Sequence, residues 1–312
     1  MDGSTFDRGV PPVLIRRVWP VPPGKNASYP SFFGENPRRQ VIRRKIRLNI
    51  TAVVARLELH TLGSQIEGQT PMDTTTAADA TAEAISTIGS YFMLNPATYQ
   101  RGGELGFAGF NFYVAGRGGV LGNVDADLVT AAFAYFEPAY VRTQWESGIG
   151  VMEPLAAAQA FAETAANWAE AHVPDDFDAA RLAELADKLA EGARVTAAPL
   201  FAGWRKLEVP ESPKAAAIHH LNALRELRGG IHAACIVASG LDPLQALAIS
   251  TPMMATAFGW TELPEVDGLR ETWEQAEEAT TAAFAYVFES LTEAEREEFA
   301  TLVNALYSAL KG

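Results

Sequence analysis

A chain of 312 residues, 48% apolar and 20% charged, is long enough for one large or two ordinary domains with a real core, and too apolar to stay disordered throughout. Its single cysteine, Cys235, excludes an internal disulfide framework and fits a reducing, cytoplasmic compartment. No apolar run reaches the roughly eighteen residues of a bilayer span, and residues 1–20 lack the apolar core of a secretory signal, so neither a membrane protein nor an exported one is expected.

The net charge of −13 conceals two segments of opposite sign. Residues 1–71 hold eleven Lys or Arg against five Asp or Glu; from Met72 onward fourteen face thirty-three, a balance of −19. Residues 1–40 are rich in Pro, Gly and Ser, with basic clusters at Arg38-Arg39 and Arg43-Arg44-Lys45. Residues 1–71 therefore read as a basic, disordered extension, or as sequence upstream of a true start at Met72. A nucleic-acid-binding arm or a targeting leader is the sharper alternative. The folded body is expected from Met72, with Asp73 or Thr74 capping its first helix.

Helical periodicity then dominates. Ala84, Ile85, Ile88 and Phe92 recur at helical spacing until Asn95-Pro96 closes the element, and Gly102-Gly103 breaks the chain. An aromatic-rich segment from Leu105 to Tyr113 ends in Gly116-Arg117-Gly118-Gly119. Val124 to Tyr135 and Ala139 to Trp145 read as short helices separated by Pro138; Glu153 to His172 and Phe177 to Glu191 are longer ones, and Thr196 to Lys206 follows. Pro213 stands in the first turn of a helix that runs to Leu227, and Gly229-Gly230 separates it from a second, His232 to Ala238. Leu241-Asp242-Pro243 opens a short helix to Ser250. Leu269 to Ser290 and Thr292 to Leu310 finish the chain, the last with capping-box spacing between Thr292 and Glu295. No segment shows strand alternation with hairpin signals. The expected fold is all-α and multi-helix, with a helical region over residues 72–208 and a second over 209–312.

The glycines at 116, 118, 119 and 122 could let backbone N–H groups approach a phosphate, but their spacing matches neither phosphate-loop fingerprint. They read as a flexible turn between helices. His219 and His220 are adjacent and so point about 100° apart on a helix, and no paired-cysteine or His-x-x-x-His spacing exists. No metal and no cofactor are expected. Cys235 lies among apolar neighbours as an inert core thiol, no Gly-x-Ser-x-Gly accompanies any serine, and Phe107, Phe110, Phe112 and Tyr113 suit either a core or an apolar ligand cavity. The polar group that stands out is Glu226, Arg228 and His232 around Gly229-Gly230. It can form a structural network between helices, or a pocket that binds an anion or moves a proton.

Two blocks carry a resemblance. The first is Phe112-Tyr113-Val114-Ala115-Gly116-Arg117 with Leu121-Gly122 and Phe133 to Pro138. The second is Leu224-Arg225-Glu226-Leu227-Arg228-Gly229-Gly230-Ile231-His232, closing with Gly240-Leu241. Over residues 72–312 the chain resembles the actinobacterial SalK/EvbL-like helix-turn-helix family, whose C-terminal half is similar to a MarR-type winged helix. In the second block Leu227, Gly230 and Ile231 replace that family's usual His, Asp and Gly. The resemblance implies a helix-turn-helix fold with a regulator's ancestry, but the reading head looks degenerate. Only Thr261 to Gly268 stand where a recognition helix and wing belong, and residues 241–275 carry Arg270 alone against six acids.

The expected function is therefore that of a regulator-derived protein binding a small molecule or a partner protein, with DNA disfavoured through the acidic half. The expected pocket is lined by Tyr113, Arg117, Glu226, Arg228 and His232, in which Arg117 and Arg228 fix an anion, Glu226 orients one of them and His232 supplies a titratable donor. Two other readings remain open: a MarR-like DNA-binding regulator using basic residues 38–47, and an enzyme with His232 as general acid or base. By analogy alone, the two terminal helices could pair in a homodimer.

Overall fold

The computed structural model describes residues 72–311, and the extension expected over residues 1–71 lies outside them. Twelve α-helices and four short 3₁₀ segments make up the described chain, with no strand among the described residues. The helices are α1 (Thr74–Ile88), α2 (Pro96–Glu104), α3 (Asn111–Gly118), α4 (Ala126–Phe133), α5 (Pro138–Ile149) and α6 (Pro154–His172). Then come α7 (Ala179–Gly192), α8 (Pro199–Trp204), α9 (Pro213–Ala238), α10 (Pro243–Ser250), α11 (Arg270–Phe284) and α12 (Glu293–Lys311).

Local chemistry accounts for many of the starts. The Asp73 carboxylate accepts the Thr76 N–H at 2.7 Å to cap α1. Thr292 and Glu295 exchange hydrogen bonds at the head of α12, as their spacing predicts. Six of the twelve helices begin on a proline, which lacks an N–H that would be unpaired there anyway. That overturns one boundary: Asn95-Pro96 opens α2, with the Asn95 side chain accepting the Ala97 N–H, instead of closing the element before it.

Three glycine groups expected to interrupt the chain do not. Gly102 and Gly103 lie inside α2. Gly116 and Gly118 lie inside α3, which is buried along its whole length, and Gly119 continues into a 3₁₀ turn. A Cβ on Gly116 would fall 2.6 Å from Phe161 Cβ of α6, and one on Gly119 would fall 1.9 Å from the Pro154 carbonyl oxygen. The missing side chains let α3 lie directly on α6. Gly229-Gly230 likewise falls within α9, one unbroken helix of 26 residues.

Helix α9 is the axis of the fold. It packs against α1, α6, α7, α8 and α11, and its stretch Ala215 to Leu224 is buried on every side. A helix enclosed all round is expected to be mostly apolar, and Ala, Ile and Leu fill that stretch apart from the buried His219, His220 and Asn222. The main core joins Phe92, Trp145, Phe161, Trp204, Leu221 and Phe288 from both halves of the chain. Cys235, expected in this core, is only half-buried near the far end of α9.

Beyond Ala238 the chain turns sharply. Ser239 to Asp242 link α9 to α10 at a bend of 110°, with Gly240 at φ +81° and Leu241 buried beneath. Two helices at about 90–120° joined by a short glycine-bearing turn form a helix-turn-helix corner. Ile236, Leu241, Ala246 and Ala276 pack a small second core there. No single described helix is long and apolar enough to cross a membrane.

Candidate functional site

Five elements meet around the middle of α9. From α3 come Tyr113 and Arg117, and from α9 come Arg225, Glu226, Arg228 and His232. The link from α4 to α5 contributes Tyr135, the approach to α8 contributes Ala198 and Pro199, and Phe258 closes the far side. Together they bound a cavity of about 160 Å³. Tyr113, Arg117, Glu226, Arg228 and His232, the residues singled out from the sequence, all line it.

Arg117 and Glu226 form its buried base. Arg117 donates from Nε and Nη2 to the two Glu226 carboxylate oxygens, at 2.8 Å each, a planar fork on a planar acceptor. Its third nitrogen reaches toward the Tyr113 hydroxyl at 3.4 Å, and the guanidinium lies 4.6 Å from the centre of the Phe133 ring. Arg225 adds a second cation to the same carboxylate at 2.8 Å. Burial alone would push the Glu226 pKa up, but Arg117 and Arg225 more than offset it and hold the carboxyl below its ordinary range. The Trp204 indole N–H donates to the Arg117 carbonyl at 3.2 Å, locking α8 onto α3. Glu226 thus orients Arg117, and that guanidinium is committed to it.

Arg228 and His232 face α11. Arg228 donates to Glu277 at 3.1 Å, while its Nε is buried without a partner in the protein. The His232 ring presents Nδ1 to the Thr280 hydroxyl at 3.1 Å and Nε2 to Glu277 at 3.5 Å. Both ring nitrogens are therefore turned to α11, and the imidazole stacks on Tyr135 with ring centres 5.8 Å apart. Burial pushes the His232 pKa down, Glu277 opposes it and Arg228 adds to it, leaving the ring below its usual value. Beyond Arg228 an open groove between α1 and α11 carries Asp79, Glu83, Glu274 and Glu278, so Arg228 separates an acidic groove from a cationic cavity.

Sequence reasoning missed Tyr135 and the backbone beside it. The Tyr135 hydroxyl is buried with no partner in the protein, and burial together with Glu277 pushes its pKa above the ordinary phenol value, so it remains a donor. Ala134 before it adopts φ +51°, ψ −56°, closed by a Tyr135 N–H to Phe133 carbonyl bond of 2.6 Å. This is a strained three-residue turn for an L-residue. The other alanine at positive φ among the described residues, Ala197 at +60°, adjoins the opposite wall. No sequence pattern announces such turns; the only signal for Tyr135 was its place in the first family-like block.

An all-helical body with a sharp two-helix corner, over the described residues, is that of a helix-turn-helix protein, here with an arginine-lined cavity between its helices. The chain belongs to a helix-turn-helix family, whose model matches residues 78–311. No curated protein and no solved structure matches the chain.

Proposed function

We propose that this protein is a regulator-derived, MarR-related member of its family that holds a small organic anion in the cavity beside α9 and does not read DNA through its helix-turn-helix corner. The observation that carries the reading is where the cations lie. Three arginines, Arg117, Arg225 and Arg228, line the cavity beside the single carboxylate Glu226 among its lining residues. The corner has none to offer. α10, the second helix of that corner, contains no Lys or Arg and turns Ala246, Leu247 and Ile249 inward. Residues 241–275 carry one cation against six acids, a balance of −5 where phosphate contacts would need positive charge.

Gly229 supplies the test. It lines the cavity, is exposed, and a Cβ built on it meets nothing within 4 Å, so Gly229→Trp crowds the mouth without disturbing the backbone. Native mass spectrometry of the full chain should show a co-purifying small anion that Gly229→Trp lacks. A labelled duplex in about 50 mM salt should gain no anisotropy on addition of protein. A ligand-free spectrum, with salt-sensitive duplex binding that persists without residues 1–71, would overturn the proposal in favour of a DNA-binding corner.

A further inference from the structure

We infer that the outer face of the helix-turn-helix corner is a self-association surface, on which a second copy of this chain seats through Val237 and Met253. Neither residue lines the cavity, so this surface stands or falls apart from what the cavity holds.

An open helix face sets the position. At Gly230 the side of α9 is covered by Ala197 and Ala198. Four, seven and eight residues further on, Ala234, Val237 and Ala238 fall on the same face of the helix, and there all three are exposed, Val237 at 63%. The other side of those turns is occupied, since Ile236 packs with Leu241, Ala246 and Ala276. Beyond α10, Pro252 and Met253 are exposed as well, Met253 at 58%. Large apolar side chains exposed on both limbs of one corner are what a binding surface offers.

Charge selects the occupant. From Gly229 to Thr261 the chain has one charged residue, Asp242, although one residue in five is charged overall. Depletion of charge with Met and aromatic enrichment marks the centre of a protein–protein interface, which takes roughly 20–30 residues a side. A cationic partner would find its match on the acidic remainder of the body. Two copies, each at −19 from Met72 onward, repel where their acidic surfaces meet, and at the corner they can close without opposing like charges. A two-fold pairing sets one patch against itself, so an uncharged apolar patch is its own complement. The last helix is less suited to that contact. α12 turns Phe299, Val303, Leu306 and Tyr307 into the main core and presents Glu293 and Glu298 to solvent.

Sedimentation velocity of the full chain at pH 7, over a concentration series, reads the association. The parent should form a dimer, and raising salt from about 50 to 500 mM should tighten it, because salt screens the repulsion between two acidic bodies and leaves apolar contact in place. A dimer held by ion pairs would loosen instead. Val237→Glu and Met253→Glu should each weaken association at least about tenfold, since either buries an unpaired carboxylate in the interface. Both side chains are more than half exposed in the single chain, so neither variant should change the far-UV circular dichroism, or the unfolding midpoint measured where the protein is monomeric. A parent still monomeric at about 0.1 mM, a dimer that both glutamates together leave intact, or one that salt loosens would each overturn the inference.

Discussion

Gly229 and Gly230 are neighbours in one helix, and replacing each by alanine should shift stability in opposite directions. Alanine is favoured over glycine by about 1 kcal/mol in a helix interior. At Gly229 nothing opposes that gain, because a Cβ there has no atom within 4 Å. At Gly230 the added Cβ would lie 2.5 Å from the Ala197 carbonyl oxygen and 2.8 Å from Ala198 Cα. Those are backbone atoms of a segment already held at positive φ at Ala197, so they cannot swing aside. Overpacking of this kind costs roughly 1–3 kcal/mol, which outweighs the propensity gain or cancels it. The two variants should therefore differ by about 2 kcal/mol. For a folded body of this size that is roughly 4–8 °C in Tm, with Gly229→Ala above the parent and Gly230→Ala at or below it. Differential scanning calorimetry, with urea titration as a second measure, reads this directly. Equal shifts in the same direction would show that α9 is not continuous through the pair, and the close approach to α8 would be wrong with it.

Other outcomes follow from the buried charges. Glu226→Ala strands the Arg117 guanidinium and should cost about 3–5 kcal/mol in urea unfolding, whereas the double change Arg117→Met with Glu226→Leu should recover most of it; equal losses in single and double variants would show that the two residues are not a coupled pair. His219 is deeply buried with Nε2 unpartnered, and burial, aided by His220, pushes its pKa down to about 4. Between pH 6.5 and 4 the unfolded chain takes up a proton that the folded protein refuses, so stability falls as pH falls through that window, by up to about 3 kcal/mol. His219→Leu should flatten that part of the profile, and an unchanged slope would remove His219 as its source.

How much of this was legible beforehand depended on whether the cause was local. Caps at Asp73 and Thr292, and the periodicity of α6, α7 and α12, act within a few residues and can be read from them. Gly102, Gly116 and Gly230 could not be read that way. A glycine costs a helix about 1 kcal/mol locally, and whether the helix survives depends on what approaches the bare backbone, here Phe112, Phe161 and Ala197. The prolines misled for a similar reason, since the same residue ends one helix and starts the next. Arg117 and Glu226 lie 109 residues apart, so no spacing links them. Glu226 stood out beside Gly229-Gly230, and only the resemblance added Arg117, while Tyr135 owes its position to a strained turn that no propensity predicts.

The disposition of charge also governs how a ligand arrives. From Met72 onward the chain carries −19, yet three of its fourteen cations, Arg117, Arg225 and Arg228, line one interior cavity. An anion approaching from bulk solution meets a repulsive field before it reaches the attractive one, and only the outer field is strongly screened by salt. Added salt should therefore speed association of a small organic anion, the reverse of the usual electrostatic steering. The acidic exterior would act as a kinetic filter, slowing multiply charged anions most and leaving the cavity to small, singly charged ones.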